Sequence, residues 1–426
     1  MNAAVPKASE IPYWIPIIII VLILIFTVPA IMRASSSTSN PTNIATTKQQ
    51  QVAIFQTKFV PEYKDKKSLI QAVREQAITD QENCLINFQP LTVIHPGFLG
   101  PVKDGVYDEK EGVTTALRLG SRCFVLPIDY HEKDTMGDAF PPANTPCLLY
   151  RDSSDTVRSI EGGSIAKVAQ AIADIAWSDL VSQKNDPFIL ILFFIRTPEE
   201  GTKEYLTFLS KVARDLSPLS PYLLGQTPEG VYNRQARQDE ILFVPVSSLE
   251  KKLLIFCNVD TSGFRTSATT IRHTFLPRED LDYWVHLRLY KQNEETSIGA
   301  TSTPERSGIP RGLLETQSYF TSLPTDAKMK KKTIQTTKEQ FTVSFPPAGT
   351  NPDTSTLVTL LDTYGVQAVP LLLTEYTPEM KILLSQWKYA WRAKPKALRY
   401  SRPAPQPLVQ QSRAVDANGG MITPPK

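Results

Sequence analysis

Between residues 52 and 400, short apolar runs alternate with segments whose apolar residues recur every three or four positions. The first pattern predicts strands and the second predicts helices buried along one face. Asn83–Ile94, Arg122–Ile128, Cys147–Tyr150, Pro187–Ile195, Ile241–Val246, Lys252–Val259, Tyr283–Leu289, Thr342–Phe345 and Gln367–Leu373 read as strands. Pro187–Ile195 is apolar without interruption, as a strand covered on both faces requires. Ser68–Thr79, Gly112–Leu119, Ser164–Ser182, Glu204–Leu216 and Pro378–Trp391 read as helices. In the third of these, Ile165, Val168, Ala169, Ile172, Ile175 and Ala176 fall on one stripe, and Gly120 suits a left-handed cap after the second.

This alternation predicts an α/β fold with a parallel sheet and covering helices. The number of strands fits a (β/α)8 TIM-like barrel over residues 52–400, with an open doubly wound sheet as the alternative. Residues 293–333 are polar and end in Lys328-Met329-Lys330-Lys331-Lys332. They read as a long surface insertion whose lysines face solvent or anionic phospholipid headgroups.

Ahead of the barrel, residues 11–33 contain an uncharged run from Ile11 to Met32. At about 1.5 Å per residue it reaches roughly 33 Å, against a hydrocarbon core of about 30 Å. Tyr13 and Trp14 stand at one end, where interfacial aromatics belong. The run is longer than a signal-peptide core, and Glu10 offsets Lys7, so a single-pass transmembrane helix anchored in the bilayer is the reading over a cleaved leader. Its orientation is undetermined, with Lys7 on one side and Arg33 and Lys48 on the other. Residues 1–10 form a short tail, 34–51 a polar linker, and 401–426 a Pro-rich disordered tail.

Composition narrows the function classes. Forty-six basic residues against forty-three acidic give a formal charge of +3, too mild for a nucleic-acid partner. The four cysteines form no CxxC pair and sit in or beside apolar runs, which predicts buried free thiols rather than a zinc site. No glycine-rich phosphate loop is present. His273 and His286 read as surface or packing residues, and Trp177, Trp284, Trp387 and Trp391 as core anchors.

Gly120-Ser121-Arg122-Cys123-Phe124-Val125-Leu126-Pro127 resembles the second strand of the phosphatidylinositol-specific phospholipase C barrel, which reads roughly G-C-R-C-V-E-L-D. Tyr364–Leu371 is similar to that family's N-x-G-C-Q-x-V-A-L strand, with Met380 matching the methionine beyond it. Lys394-Pro395 and Leu398-Arg399 resemble its closing K-P-x-x-L-R, and Phe345–Thr350 its Y-P-K-G-T-R loop. The resemblance covers residues 83–399 and implies the same barrel. It also implies a pair of catalytic histidines and a calcium ion held by Asn, Glu and Asp.

On that frame His95 keeps the first histidine, Pro96 replaces the calcium-binding asparagine and Tyr150 replaces the second histidine. The strand acids fall on Val125, Pro127 and Phe193, and the phosphate-binding arginine near Ser344. The calcium site therefore reads as lost, with no metal or cofactor expected. The expected function is a binding or structural module that has lost calcium-dependent phosphodiesterase activity, with the bilayer and a protein partner as its contacts. Membrane-anchored proteins with a barrel of this worn kind resemble those of large DNA viruses, which points to a virion or host intracellular membrane. The alternative is a repurposed phosphoric diester hydrolase acting on phospholipid or inositol phosphate. His95, Asp129, His131 and Arg151 would then be its catalytic candidates, with Arg151 and Arg196 gripping phosphate, because barrels work at the C-terminal ends of their strands. Asp152 and Asp260 are expected on the same rim.

Overall fold

The computed structural model describes residues 41–62, 66–131, 138–224, 241–266, 279–291, 311–323 and 326–403. Eight parallel strands form one curled sheet: β1 (Thr92–Ile94), β2 (Cys123–Asp129), β3 (Phe188–Phe194), β4 (Leu253–Cys257), β5 (Leu287–Tyr290), β6 (Arg311–Thr316), β7 (Thr342–Phe345) and β8 (Leu371–Leu372). They pair in chain order from β1 to β7, and β8 pairs β1. The two ends of the sheet meet where Val343 bridges Ala368, with Ser344 N–H donating to the Ala368 carbonyl at 2.9 Å and Ala368 N–H to Thr342 at 3.1 Å. The architecture is mixed α/β and consistent with a TIM-like fold.

Two apolar layers explain why the strands read as continuous runs. Cys123 and Val125 of β2, Ile189 and Ile191 of β3, Leu254 and Phe256 of β4, and Val343 of β7 belong to one cluster inside the curl. Their alternates, among them Phe124, Leu126, Leu190 and Leu192, belong to the cluster beneath the helices. Period-2 alternation thus disappears because both faces are buried. The longer helices are α1 (Pro41–Ile54), α2 (Leu69–Glu75), α3 (Glu109–Arg118), α4 (Ile165–Ile175), α5 (Lys203–Asp215), α6 (Ala327–Glu339) and α7 (Pro378–Ser385). From α2 onward each starts at Ser, Thr or Asp (Ser68, Asp108, Ser164, Thr202, Asp326 and Thr377), whose side chain accepts a first-turn N–H. Gly120 follows α3 with φ +90 and takes the left-handed position expected of it.

Pro127 sits inside a central strand, where a proline normally breaks the ladder. Here it stands beyond the end of β1. The N–H groups of Arg122 and Cys123 face Leu91 of the β1 segment, and the last link on that side runs from His95 N–H to the Val125 carbonyl at 3.1 Å. β1 ends at Ile94, and from there the neighbour on that side is the antiparallel Cys147–Leu148 segment, whose register sets Leu149 beside Pro127.

Several expected elements differ. Cys147–Leu148 is not the third barrel strand: it pairs antiparallel with the end of β2, and β3 lies directly beside β2. Residues 241–246 form a turn rather than a strand; Ile241 and Leu242 are apolar because they plug the lower end of the barrel, where Ile86 N–H donates to the Leu242 carbonyl. The helix expected to run to Trp391 ends at Ser385, because Trp391–Ala393 forms an antiparallel pair with Phe88–Pro90. The expected insertion 293–333 contains β6 and the start of α6, so its later half belongs to the barrel, and the lysine run lies on a helix. The linker expected to residue 51 is helical from Pro41. All four cysteines are free and buried. Among the described residues no helix is long and apolar enough to cross a membrane; residues 11–33, 404–426 and His273 lie outside them.

Gly312 tests whether β6 is barrel or insertion. A Cβ there would lie 2.6 Å from the Phe341 carbonyl oxygen and 2.7 Å from Leu287. Gly312→Val is expected to destabilise the full chain by about 1–3 kcal/mol in chemical denaturation. A loss below about 0.5 kcal/mol, usual for surface substitutions, would return these residues to a surface insertion.

Candidate functional site

The upper ends of β1, β2, β3, β7 and β8 surround a cavity of about 400 Å³. Ile94, Pro127, Phe193, Phe345 and Leu372 line it from the strands. Phe193 stacks on Phe345, with ring centres 4.6 Å apart. Two loops complete the walls: Tyr150–Asp155, and Pro346–Thr350 following β7. Val125 lies one inward step below Pro127 and is wholly buried.

His95 stands at the end of β1 with φ +53, a left-handed conformation uncommon for a residue with a side chain. Its carbonyl accepts the Phe98 N–H at 2.9 Å, which closes the tight turn that aims the imidazole at the cavity. The ring is 8% exposed and meets Tyr150 edge-on at 5.3 Å. Its Nδ1 is buried with no hydrogen-bond partner. Burial holds the imidazole far below its ordinary range, at about 3, so it is neutral at physiological pH. Tyr150 stacks on Phe98 at 4.3 Å, and its buried hydroxyl also has no partner. Desolvation pushes that hydroxyl up to about 12, which keeps it protonated.

The charged residues of the rim are paired with one another. Arg151 Nε donates to the fully buried Asp129, whose other oxygen accepts the Tyr130 N–H at 2.8 Å. Arg151 also donates to the Asp155 carbonyl at 2.8 Å, and Arg196 pairs with the Asp155 carboxylate. Arg158 donates to Asp152 at 2.5 Å. Asp152 accepts from the Ser154 hydroxyl and from the N–H groups of Ser154 and Thr156, which sets the loop and holds its pKa well below the usual carboxylate range.

Of the sequence candidates, the structure brings His95 and Arg151 to the cavity and places Asp129 behind Arg151 as its anchor. His131 and Arg196 do not line it, although Arg196 reaches its edge through Asp155. Arg151 and Arg196, expected to grip phosphate, are each paired with an aspartate. Asp260 follows the end of β4, as expected, but does not line the cavity and lies 3.0 Å from Arg288. His286 is a packing residue, its Nδ1 accepting the Ile255 N–H at 3.0 Å. Trp177, Trp284, Trp387 and Trp391 are core residues, as expected. Sequence reasoning missed Phe345, Leu372 and Asp155 as cavity residues; the signal for the first was the Pro346-Pro347 pair that ends its strand.

Calcium does not fit these residues. It takes six to eight oxygen ligands, and the positions where the resemblance puts its carboxylates hold Val125, Pro127 and Phe193. The nearby carboxylates Asp129, Asp152 and Asp155 are already committed to Arg151, Arg158 and Arg196. Among the described residues no group of three or more His, Cys, Asp or Glu side chains comes together.

His95 has a consequence for acid stability. Its folded pKa lies below the unfolded value of about 6.5, so the unfolded chain binds the proton more readily. Stability is therefore complete above about pH 6.5 and falls as the pH drops towards 3. We expect a loss on the order of a few kcal/mol across that window in the native chain. The difference between native and His95→Gln denaturation curves should shrink as the pH falls; a difference constant from pH 7 to pH 4 would contradict the burial.

No family model matches the chain, and no curated protein matches its sequence. Solved structures with a similar fold include PLC21 from L. pealei, at 14% identity and a TM-score of 0.47 over 76% of this chain and 38% of that one. The chain thus spans well under half of that protein's length. A calcium-dependent phosphoinositol-specific phospholipase C from Pseudomonas sp is similar at 10% identity and a TM-score of 0.40, covering 74% of this chain and 98% of that one. A calcium-dependent phosphatidylinositol-specific phospholipase C from Streptomyces antibioticus is similar at 11% identity and a TM-score of 0.34, covering 73% and 99%.

Proposed function

We propose that this chain is a phospholipase C-like barrel that binds a ligand rather than cleaving a phosphodiester, and that residues 11–33 anchor it in a membrane. The observation that carries the reading is the lining of the cavity. Phosphodiester cleavage needs positive charge on the non-bridging oxygens and a proton donor for the leaving alkoxide. At the positions where the resemblance would put carboxylates to hold a cation, the cavity presents Pro127 and Phe193. Its guanidinium, Arg151, is engaged by Asp129, and an incoming phosphate would have to displace that carboxylate. Tyr150, standing where the second histidine would stand, is too weak an acid to protonate a leaving group efficiently at neutral pH.

One observation favours the second reading, a repurposed hydrolase: His95 keeps a free Nδ1 in the cavity wall. The same burial that leaves it free makes it a poor base, since a pKa near 3 lies about four units below the operating pH.

The assay that separates the two is release of inositol phosphate from labelled inositol-lipid vesicles, with and without calcium. The expected result is no turnover above background, unchanged in His95→Ala. Turnover that disappears in His95→Ala would establish the hydrolase instead. For the anchor, the native chain is expected to stay with membranes through alkaline carbonate extraction. Ile20→Arg combined with Leu24→Arg, each costing about 2.5–3.5 kcal/mol at a helix centre, should release it; retention of the double variant would remove the anchor from the proposal.

A further inference from the structure

The cavity combines an apolar floor, two orphaned polar atoms and a rim without spare charge. Each limits what can occupy it. Ile94, Phe193, Phe345 and Leu372 reward an apolar body, and about 400 Å³ lies within the range of small-molecule sites. His95 Nδ1 and Tyr150 Oη lack partners in residues 8% and 1% exposed, and an unmet buried polar group costs about 1–3 kcal/mol. A ligand carrying a hydroxyl would meet that need: its oxygen can accept from Tyr150, and its proton can go to a neutral imidazole nitrogen. The hydroxyl of Tyr150 sits by Gly349, where a Cβ would lie 2.7 Å away, so the loop after β7 leaves room for no side chain there.

Charge excludes the other amphiphiles. Arg151, Arg158 and Arg196 are matched by Asp129, Asp152 and Asp155, pair by pair. A phosphate or carboxylate head finds no uncommitted cation in this set, and an ammonium head finds no uncommitted carboxylate. The approach of the chain to the cavity fits a ligand from the lipid phase. Helix α1, which follows the apolar segment 11–33, packs on Phe98–Gly100 and Val106–Tyr107. Phe98 is the ring stacked on Tyr150.

We propose that the cavity binds a neutral long-chain amphiphile with a single hydroxyl head, its chain on the Phe193–Phe345 floor and its hydroxyl between Tyr150 and His95. This assignment rests on the cavity's being a binding site rather than a catalytic one.

The test uses the full chain in nanodiscs and a hexadecanol probe carrying a diazirine and a terminal alkyne, with the same chain bearing a phosphate head as comparison. Photolabelling is expected on peptides holding Phe193 and Phe345, competed by excess hexadecanol and at least tenfold weaker with the phosphate probe. Phe193→Glu, at a position partly open to the cavity, should reduce it at least tenfold. Tyr150→Phe keeps the stack on Phe98 and should reduce labelling by the alcohol about fivefold, the worth of one hydrogen bond, while leaving an alkane probe unchanged. Labelling confined to other peptides, or equal labelling by the phosphate probe, overturns the assignment; so does an unchanged Tyr150→Phe with a native melting curve. Inositol phosphate release measured on the same samples distinguishes the failures. Turnover overturns the non-catalytic reading, whereas absent labelling without turnover overturns the ligand class alone.

Discussion

The barrel depends on a seam. β7 and β8 are joined by little backbone: a bridge from Val343 to Ala368 and the bonds flanking it. What secures the join is the side chain of Gln367, wholly buried, whose oxygen accepts the Thr342 N–H at 2.7 Å and whose amide donates to the carbonyls of Thr337 and Ile86. One amide thus ties β7, the end of α6 and the segment leading into β1. Gln89 beside it donates to Leu361 and Val366, though its own side-chain oxygen is buried without a partner. A buried amide is stabilising only when its partners are all in place, as those of Gln367 are, so the seam is cooperative there. Phe345 and Leu372 stand at the upper ends of the strands it joins, and the shape of the cavity follows from it.

The polar rim obeys a different logic. Three arginines and three aspartates stand around the mouth, which in sequence looks like an anion-binding set. Space resolves it into ion pairs, one of them buried. A buried pair contributes little net stability, because desolvation offsets its attraction, yet removing one partner is costly. The Asp129–Arg151 pair is therefore better understood as fixing the Tyr150–Asp155 loop over the cavity than as a chemical tool.

Much of the barrel was legible in the sequence. Strands covered on both faces leave uninterrupted apolar runs, which is why β2, β3 and β4 stand out, and helices with one buried face leave the stripe seen in α4. β6 was not legible, because Arg311-Gly312-Leu313-Leu314 is short, carries a glycine where Phe341 and Leu287 crowd it, and follows a long polar stretch. Its partner α6 buries only Thr333 and Thr337 and exposes Lys328, Lys331 and Lys332, so it carries the composition of a loop. At the site, the apolar residues Pro127 and Phe193 were readable from the sequence. The cancellation of charge was not, since Asp129 with Arg151 and Asp155 with Arg196 meet across 22 and 41 residues of chain.

Pro127 bears on what a carboxylate at this point of the cavity wall would meet. The register that sets Ile128 against Leu148 places Leu149 beside Pro127, so an N–H introduced at 127 would have a strand neighbour on that side. The carboxylate would enter the cavity wall beside Phe193 with Arg151 already held by Asp129, and a charge buried without a partner costs several kcal/mol. The obstacle to an acid at this position is thus electrostatic rather than a matter of the backbone, and it would fall only if the Asp129–Arg151 pair were released.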